Sequence, residues 1–193
     1  LWNYAVKAFD LSYDYIINSN EKVAEKGHKT EEAINTIDEK LTRYLITLSS
    51  EALSQKESEV LTNILDSSRD LERIGDHAEA LININDYLQR KNVQFSNSAL
   101  EELEDIYRQT SEFVKDALES VENNDLEMAE SLIERHEAIN KMERVLRKTH
   151  IKRLNNGECS TQAGVNFIDI ISHYTRVSDH AMNLAEKVLA EQI

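Results

Sequence analysis

With 193 residues, 40% of them hydrophobic, the chain can bury a sizeable core, which excludes disorder. A formal net charge of −14 with no dense Lys/Arg cluster repels polyphosphate backbones and excludes nucleic acid as a partner. A single cysteine, Cys159, excludes an internal disulfide and a cysteine-built zinc cage; it fits a reducing compartment and reads as an inert thiol beside a turn, with no His and Asp or Asn pair placed to activate it.

Proline is absent and there are 4 glycines, so little interrupts helix in a chain rich in Leu, Glu, Ala, Lys and Arg. Polar clusters near residues 18–20, 54–57, 92–98, 123–125 and 155–157 divide it into six helices, expected at 2–18, 20–53, 55–91, 97–122, 125–154 and 160–192. Ser54 and Glu57 have the spacing of a capping box, and Asp125 stands where an N-cap would satisfy free amides. No apolar run is long enough to cross a bilayer and no signal peptide opens the sequence, so the piece reads as soluble.

In the third helix Val60, Ile64, Leu71, Ile74, Ala78 and Ile82 follow helical spacing and form one stripe, expected to face a core. A helix of some 35 residues is about 50 Å long, which suits an elongated bundle.

The chain repeats itself. Glu32-Ala33-Ile34-Asn35 in the second helix returns as Glu137-Ala138-Ile139-Asn140 in the fifth, a shift of 105. At nearly the same shift, Arg73-Ile74-Gly75-Asp76-His77-Ala78 in the third helix returns as Arg176-Val177-Ser178-Asp179-His180-Ala181 in the sixth. Asn20 and Asp125 are equivalent under that shift, so Gly27 falls inside the second helix or kinks it. The fold expectation is all-α: two tandem three-helix bundles, residues 1–95 and 96–193.

On a helical wheel Glu72 and Asp76 share one flank of the third helix, and Asp70 and His77 lie on the other. Carboxylates four residues apart repel, so a helix seam that keeps them exposes them, pairs them with cations or binds metal. The plain reading is neutralisation by Arg69 and Arg73; the recurrence of Asp76-His77 as Asp179-His180 favours a retained site. Further acid pairs at this spacing are Asp10/Asp14, Asp66/Asp70, Glu101/Asp105 and Glu112/Asp116, of which Asp10/Asp14 and Glu112/Asp116 sit on the first helix of each half.

The run Asp70-Leu71-Glu72-Arg73-Ile74-Gly75-Asp76-His77-Ala78, with its counterpart from Arg176 to Glu186, resembles the PhoU family of phosphate-regulation proteins over nearly the whole chain. The resemblance implies two tandem three-helix bundles and metal binding, with iron, zinc or another divalent metal held by Glu/Asp-x-x-x-Asp motifs and no organic cofactor. The ligand set so implied is Glu72, Asp76 and Asp70, with Asp179 and Asp169 in the second half. Departures weaken the second site: Thr175 stands where Glu72 would be, His173 replaces the acid supplied by Asp70, and Asn35 and Asn140 stand where the family often has aspartate. Carboxylates alone suit hard cations, whereas iron, manganese or zinc is favoured if His77, His173 or His180 joins.

The segment Arg153-Leu154-Asn155-Asn156-Gly157-Glu158-Cys159-Ser160, followed by Gly164, Phe167 and Asp169, is similar to the PhoU-like cytosolic tail of bacterial sodium/phosphate cotransporters. Together with a start at Leu1 rather than Met, it implies an excised domain whose partner is a membrane phosphate transporter region upstream in the same chain, at the cytoplasmic side of the membrane; a homodimer is compatible. The function expected is regulation of phosphate transport without catalysis. Two alternatives stand beside it. One is a metal-free acidic interaction module; the other is a di-iron carboxylate enzyme, for which Glu25 and His28 alone supply a Glu-x-x-His spacing.

Overall fold

Helix starts are written in single side chains. Asn20, Ser54, Ser96, Asp125 and Ser160 each accept a backbone N–H from the first turn of the helix that follows, and Ser54 with Glu57 completes the expected capping box. The structure, a computed structural model, describes residues 1–50 and 52–190. Among these residues are six helices and no strand: α1 (Trp2–Asn18), α2 (Glu21–Ser49), α3 (Gln55–Arg90), α4 (Asn97–Asn123), α5 (Leu126–Asn155) and α6 (Thr161–Leu189). The second helix stops at Ser49, short of the expected 53; Glu51 in that stretch, and residues 191 and 192 of the expected sixth helix, lie outside the described residues.

The α1–α2 and α4–α5 junctions are built alike. Ser19 and Asn124 sit at φ 50° and 49°, left-handed C-caps that donate back into the preceding turn, and the next residue caps the following helix. That pins the repeat at 105 residues for the first two helices of each half. Gly27 lies inside an uninterrupted α2.

Helices α1, α2 and α3 pack on one another, as do α4, α5 and α6; α3 packs along α6, and α1 touches α4. The largest apolar cluster crosses this join, running from Phe9, Leu71, Ile74 and Leu81 to Ile106, Phe113, Phe167 and Tyr174. At its centre Phe9 meets the edge of Tyr174 with centroids 5.5 Å apart, and Tyr13 stacks on Tyr107 at 3.6 Å. No described helix is long and apolar enough to cross a membrane.

The apolar stripe of α3 is only partly buried. Leu71, Ile74, Ala78 and Ile82 are at most 3% exposed, whereas Val60 and Ile64 are 47% and 42% exposed. There the expectation fails: both line a groove with Leu1, Trp2, Leu41 and Val121 instead of lying under a packed helix.

Two glycines let α2 and α3 approach closely. A Cβ on Gly27 would stand 2.3 Å from Ile82 Cδ1, and one on Gly75 would stand 2.9 Å from Ile34 Cδ1. Filling that space with a branched side chain forces the helices apart. Gly27→Leu is therefore expected to destabilise the protein by about 1–3 kcal/mol despite leucine's higher helix propensity, seen as a lower midpoint in thermal unfolding followed by circular dichroism.

Candidate functional site

The expected ligands separate into three environments. The first is the α2–α3 seam. Glu72 and Asp76 lie one turn apart on α3, and Arg73 bridges them, with its guanidinium 3.8 Å from Glu72 and 3.1 Å from Asp76. Cationic neutralisation, the plain reading of the sequence, is thus realised by Arg73. Facing them from α2 is Glu31, 8% exposed, which the sequence reading missed and which accepts a hydrogen bond from Asn35. Burial pushes the Glu31 carboxyl up, and the charges of Glu79, Asp76 and Glu72 add to this against the pull of Asn35. Glu72 is likewise raised by burial and by Asp76, with Arg73 acting in opposition.

The second environment is the α3–α6 seam, where Asp70 accepts hydrogen bonds from His180 Nδ1 at 3.0 Å and Asn183 at 2.9 Å, with Lys187 Nζ at 3.6 Å. Burial alone would raise the Asp70 carboxyl, but these partners outweigh it and hold it below the ordinary value. Beside it His77 Nδ1 faces His173 Nδ1 at 3.0 Å, and the His180 ring lies 5.5 Å from that of His77. Burial, the two histidines and the Arg176 and Arg73 charges push His77 down from 6.5 to about 4. His173 is lowered by burial, against the opposing charge of Asp169, which places Asp169 at this seam.

The third is the α5–α6 seam. Asp179 Oδ1 is 2.8 Å from His136 Nε2, and Asn140 stands 3.3 Å from the same nitrogen. Under the 105-residue shift His136 is the counterpart of Glu31, so one half answers the motif aspartate with an imidazole and the other with a second carboxylate. The signal was available: these residues immediately precede the repeated Glu-Ala-Ile-Asn.

The other acid pairs serve local contacts. Asp10 accepts from Tyr107 at 2.6 Å and Ser111 at 3.1 Å and thereby ties α1 to α4, Asp14 takes Asn18, Asp116 pairs with Arg135, and Arg108 reaches Asp105 and Glu112. Glu25 is exposed and paired with Lys29, and half-exposed His28 contacts Glu79, so this pair does not point into a bundle core as a di-iron site requires. Cys159 does have a neighbouring imidazole, His150 Nε2 at 3.7 Å, but no Asp or Asn orients that ring, whose buried Nδ1 has no partner.

Among the described residues no three His, Cys, Asp or Glu side chains converge as a metal cage. Glu31, Glu72 and Asp76 are a carboxylate-only donor set, of the kind that suits a hard cation; the affinity of Glu31 and Glu72 for protons is raised, and the near cation, Arg73, is a 60% exposed side chain able to swing away.

Two outcomes follow from the α3–α6 seam. Asp70→Ala leaves His180 and Asn183 without their acceptor and Lys187 without its counter-ion, and is expected to cost about 2–3 kcal/mol in urea unfolding. Because His77 titrates lower when folded than unfolded, the unfolded chain binds the extra proton, and stability falls as pH drops from 6.5 towards about 4. His77→Gln should flatten the stability slope across that window, measured by denaturant melts at stepped pH.

Comparison with known proteins agrees with this architecture. The chain is similar to the crystal structure of PhoU from Pseudomonas aeruginosa (TM-score 0.88, 19% identity, 97% of this chain and 90% of that one). It is also similar to the phosphate transport system regulatory protein PhoU from Streptococcus pneumoniae (TM-score 0.84, 20% identity, 97% and 87%). At those identities the likeness concerns the fold. In sequence it is 30% identical over 178 residues to the phosphate-specific transport system accessory protein PhoU homolog 1 of Thermotoga maritima, covering 92% of this chain and 68% of that protein. The PhoU domain model matches residues 1–84 and 103–188, the two copies of the α-helical triplet, and the chain belongs to the PhoU domain family.

Proposed function

We propose that this chain regulates phosphate transport by binding a divalent cation on the α2–α3 face and contacting a membrane phosphate transporter from the cytoplasmic side. Membership of the PhoU domain family, with a relative named as a phosphate-transport accessory protein, supports the regulatory half of this reading. The observation that carries the cation is the crowding of Glu31, Glu72 and Asp76, which a divalent ion would relieve more completely than one exposed arginine does. Glu72 and Asp76 are the ligands; a carboxylate-only set suits a hard cation, and iron or zinc would need a histidine that the α3–α6 seam holds elsewhere. Asp70, Asp169 and Asp179 serve that site less directly, since Asp70 and Asp179 are engaged by His180 and His136 and Asp169 lies by His173. The work needs no catalysis.

In its finer form the transporter precedes Leu1 in the same polypeptide, as the likeness of residues 153–160 to sodium/phosphate cotransporter tails suggests. A tethered regulator meets its target at high effective concentration, so weak contacts suffice to bias gating.

Metal content of protein purified without chelator or affinity tag should fall in the Glu72→Ala/Asp76→Ala double variant and change less in Asp179→Ala, with circular dichroism confirming the fold of both. Unchanged stoichiometry in the double variant removes these ligands. Phosphate uptake, compared between cells carrying the intact protein, cells lacking residues 1–193 and cells carrying the double variant, tests the regulation separately: equal uptake at low and high phosphate, at equal expression, leaves the metal-free interaction module as the better account.

A further inference from the structure

Two equivalent helices carry their surface charges differently. At the shift of 105, Glu25 and Lys29 of α2 correspond to Glu130 and Glu134 of α5, and Glu39 and Arg43 to Arg144 and Lys148. In α2 both couples close as ion pairs one turn apart, Lys29 on Glu25 and Arg43 on Glu39. In α5 the same positions hold like charges, Glu beside Glu and Arg beside Lys, which repel at this spacing. All four are exposed, and none has an ion pair or side-chain hydrogen bond among the described residues.

With Glu137 and Lys141, equally exposed and unpaired, they make a stripe. At about 100° per residue the six fall within about 80° of arc, acids in the N-terminal half of α5 and bases in the C-terminal half. The helix dipole favours that order but acts over the first and last turns only, whereas Glu134, Glu137, Lys141 and Arg144 stand in the middle of 30 residues. On one edge of the stripe lie Leu126 and Ile151, each 45% exposed. Of the other helices α5 touches only α4 and α6, so this face is open along its length.

We propose that the outer face of α5 is the contact between two copies of this chain, joined antiparallel about a two-fold axis at the level of Ile139. In that arrangement Glu137 of one copy falls opposite Lys141 of the other, Glu134 opposite Arg144 and Glu130 opposite Lys148, and each pairing occurs twice. At both ends Leu126 comes beside Ile151, which share an azimuth and lie nearly equidistant from the centre. The like charges that repel along one helix thus become opposite charges across two. A parallel pairing would set Glu against Glu and Lys against Lys, so the stripe also fixes the direction. The contact is one helix pair about 38 Å long, a small interface, and holds the dimer at about 10–100 μM.

Because the net charge of −14 also repels a second copy, salt dependence does not read the stripe, but exchanging its charges does. Sedimentation velocity of the full chain should show a concentration-dependent dimer. Lys141→Glu/Arg144→Glu/Lys148→Glu and Glu130→Lys/Glu134→Lys/Glu137→Lys, each altered at exposed positions only, should each be monomeric. Their equimolar mixture should dimerise again, at least about tenfold more tightly than either alone. If circular dichroism shows that a triple variant has lost helix, Glu134→Arg and Arg144→Glu, singly and mixed, carry the same test. A chain that stays monomeric up to about 1 mM, a dimer that survives both reversals, or a mixture of two folded variants that does not associate overturns the proposal. Binding of a monomeric chain to anionic phospholipid vesicles, lost in Lys141→Glu/Arg144→Glu/Lys148→Glu, overturns it in favour of a membrane.

Discussion

The fold hangs on the lengthwise contact of α3 with α6. It carries the third helix of one copy against the third helix of the other, and the main apolar cluster runs through it without a break. Within this seam, beside the His77, His173 and His180 rings, sits Asp70, a carboxylate on α3 whose partners among the described residues, His180, Asn183 and Lys187, all lie on α6. Burying an acid is unfavourable unless its partners arrive in register, so Asp70 fixes the sliding and rotation of one triplet against the other more sharply than apolar packing can. The two copies share one core, and neither can shed its neighbour without exposing it.

The duplicated motif has diverged electrically while keeping its geometry. His136 and Asp179 are joined by a hydrogen bond, whereas Glu31, Glu72 and Asp76 repel and have an exposed arginine as their near counter-ion. One half answers its motif aspartate with an imidazole and the other with a further carboxylate, which is why the cation reading attaches to the first half.

Most of the fold was legible in the sequence because its punctuation is local. An N-cap needs only the residue and the amides two or three positions on, so Ser54 and Asp125 could be read directly, and the recurrence of Asp-His-Ala disclosed the duplication. The site was less legible. A helical wheel puts Glu72 and Asp76 on one flank and Asp70 on the other, but it cannot say that the first flank meets Glu31 of α2 or that the second meets His180, 110 residues away. Val60 and Ile64 were misread for a related reason: their spacing is that of a core stripe, and spacing along α3 cannot say whether another element lies over them.

The facing histidines couple the halves in a further way. With His77 Nδ1 and His173 Nδ1 3.0 Å apart, one ring must hold its proton at that nitrogen and the other must leave it bare. Each ring's remaining nitrogen is then assigned by default, as a donor on one side and an acceptor on the other while both rings stay neutral. A group approaching either outer nitrogen thus chooses the tautomer of both, and a hydrogen-bonding preference imposed on α6 is read out, inverted, on α3.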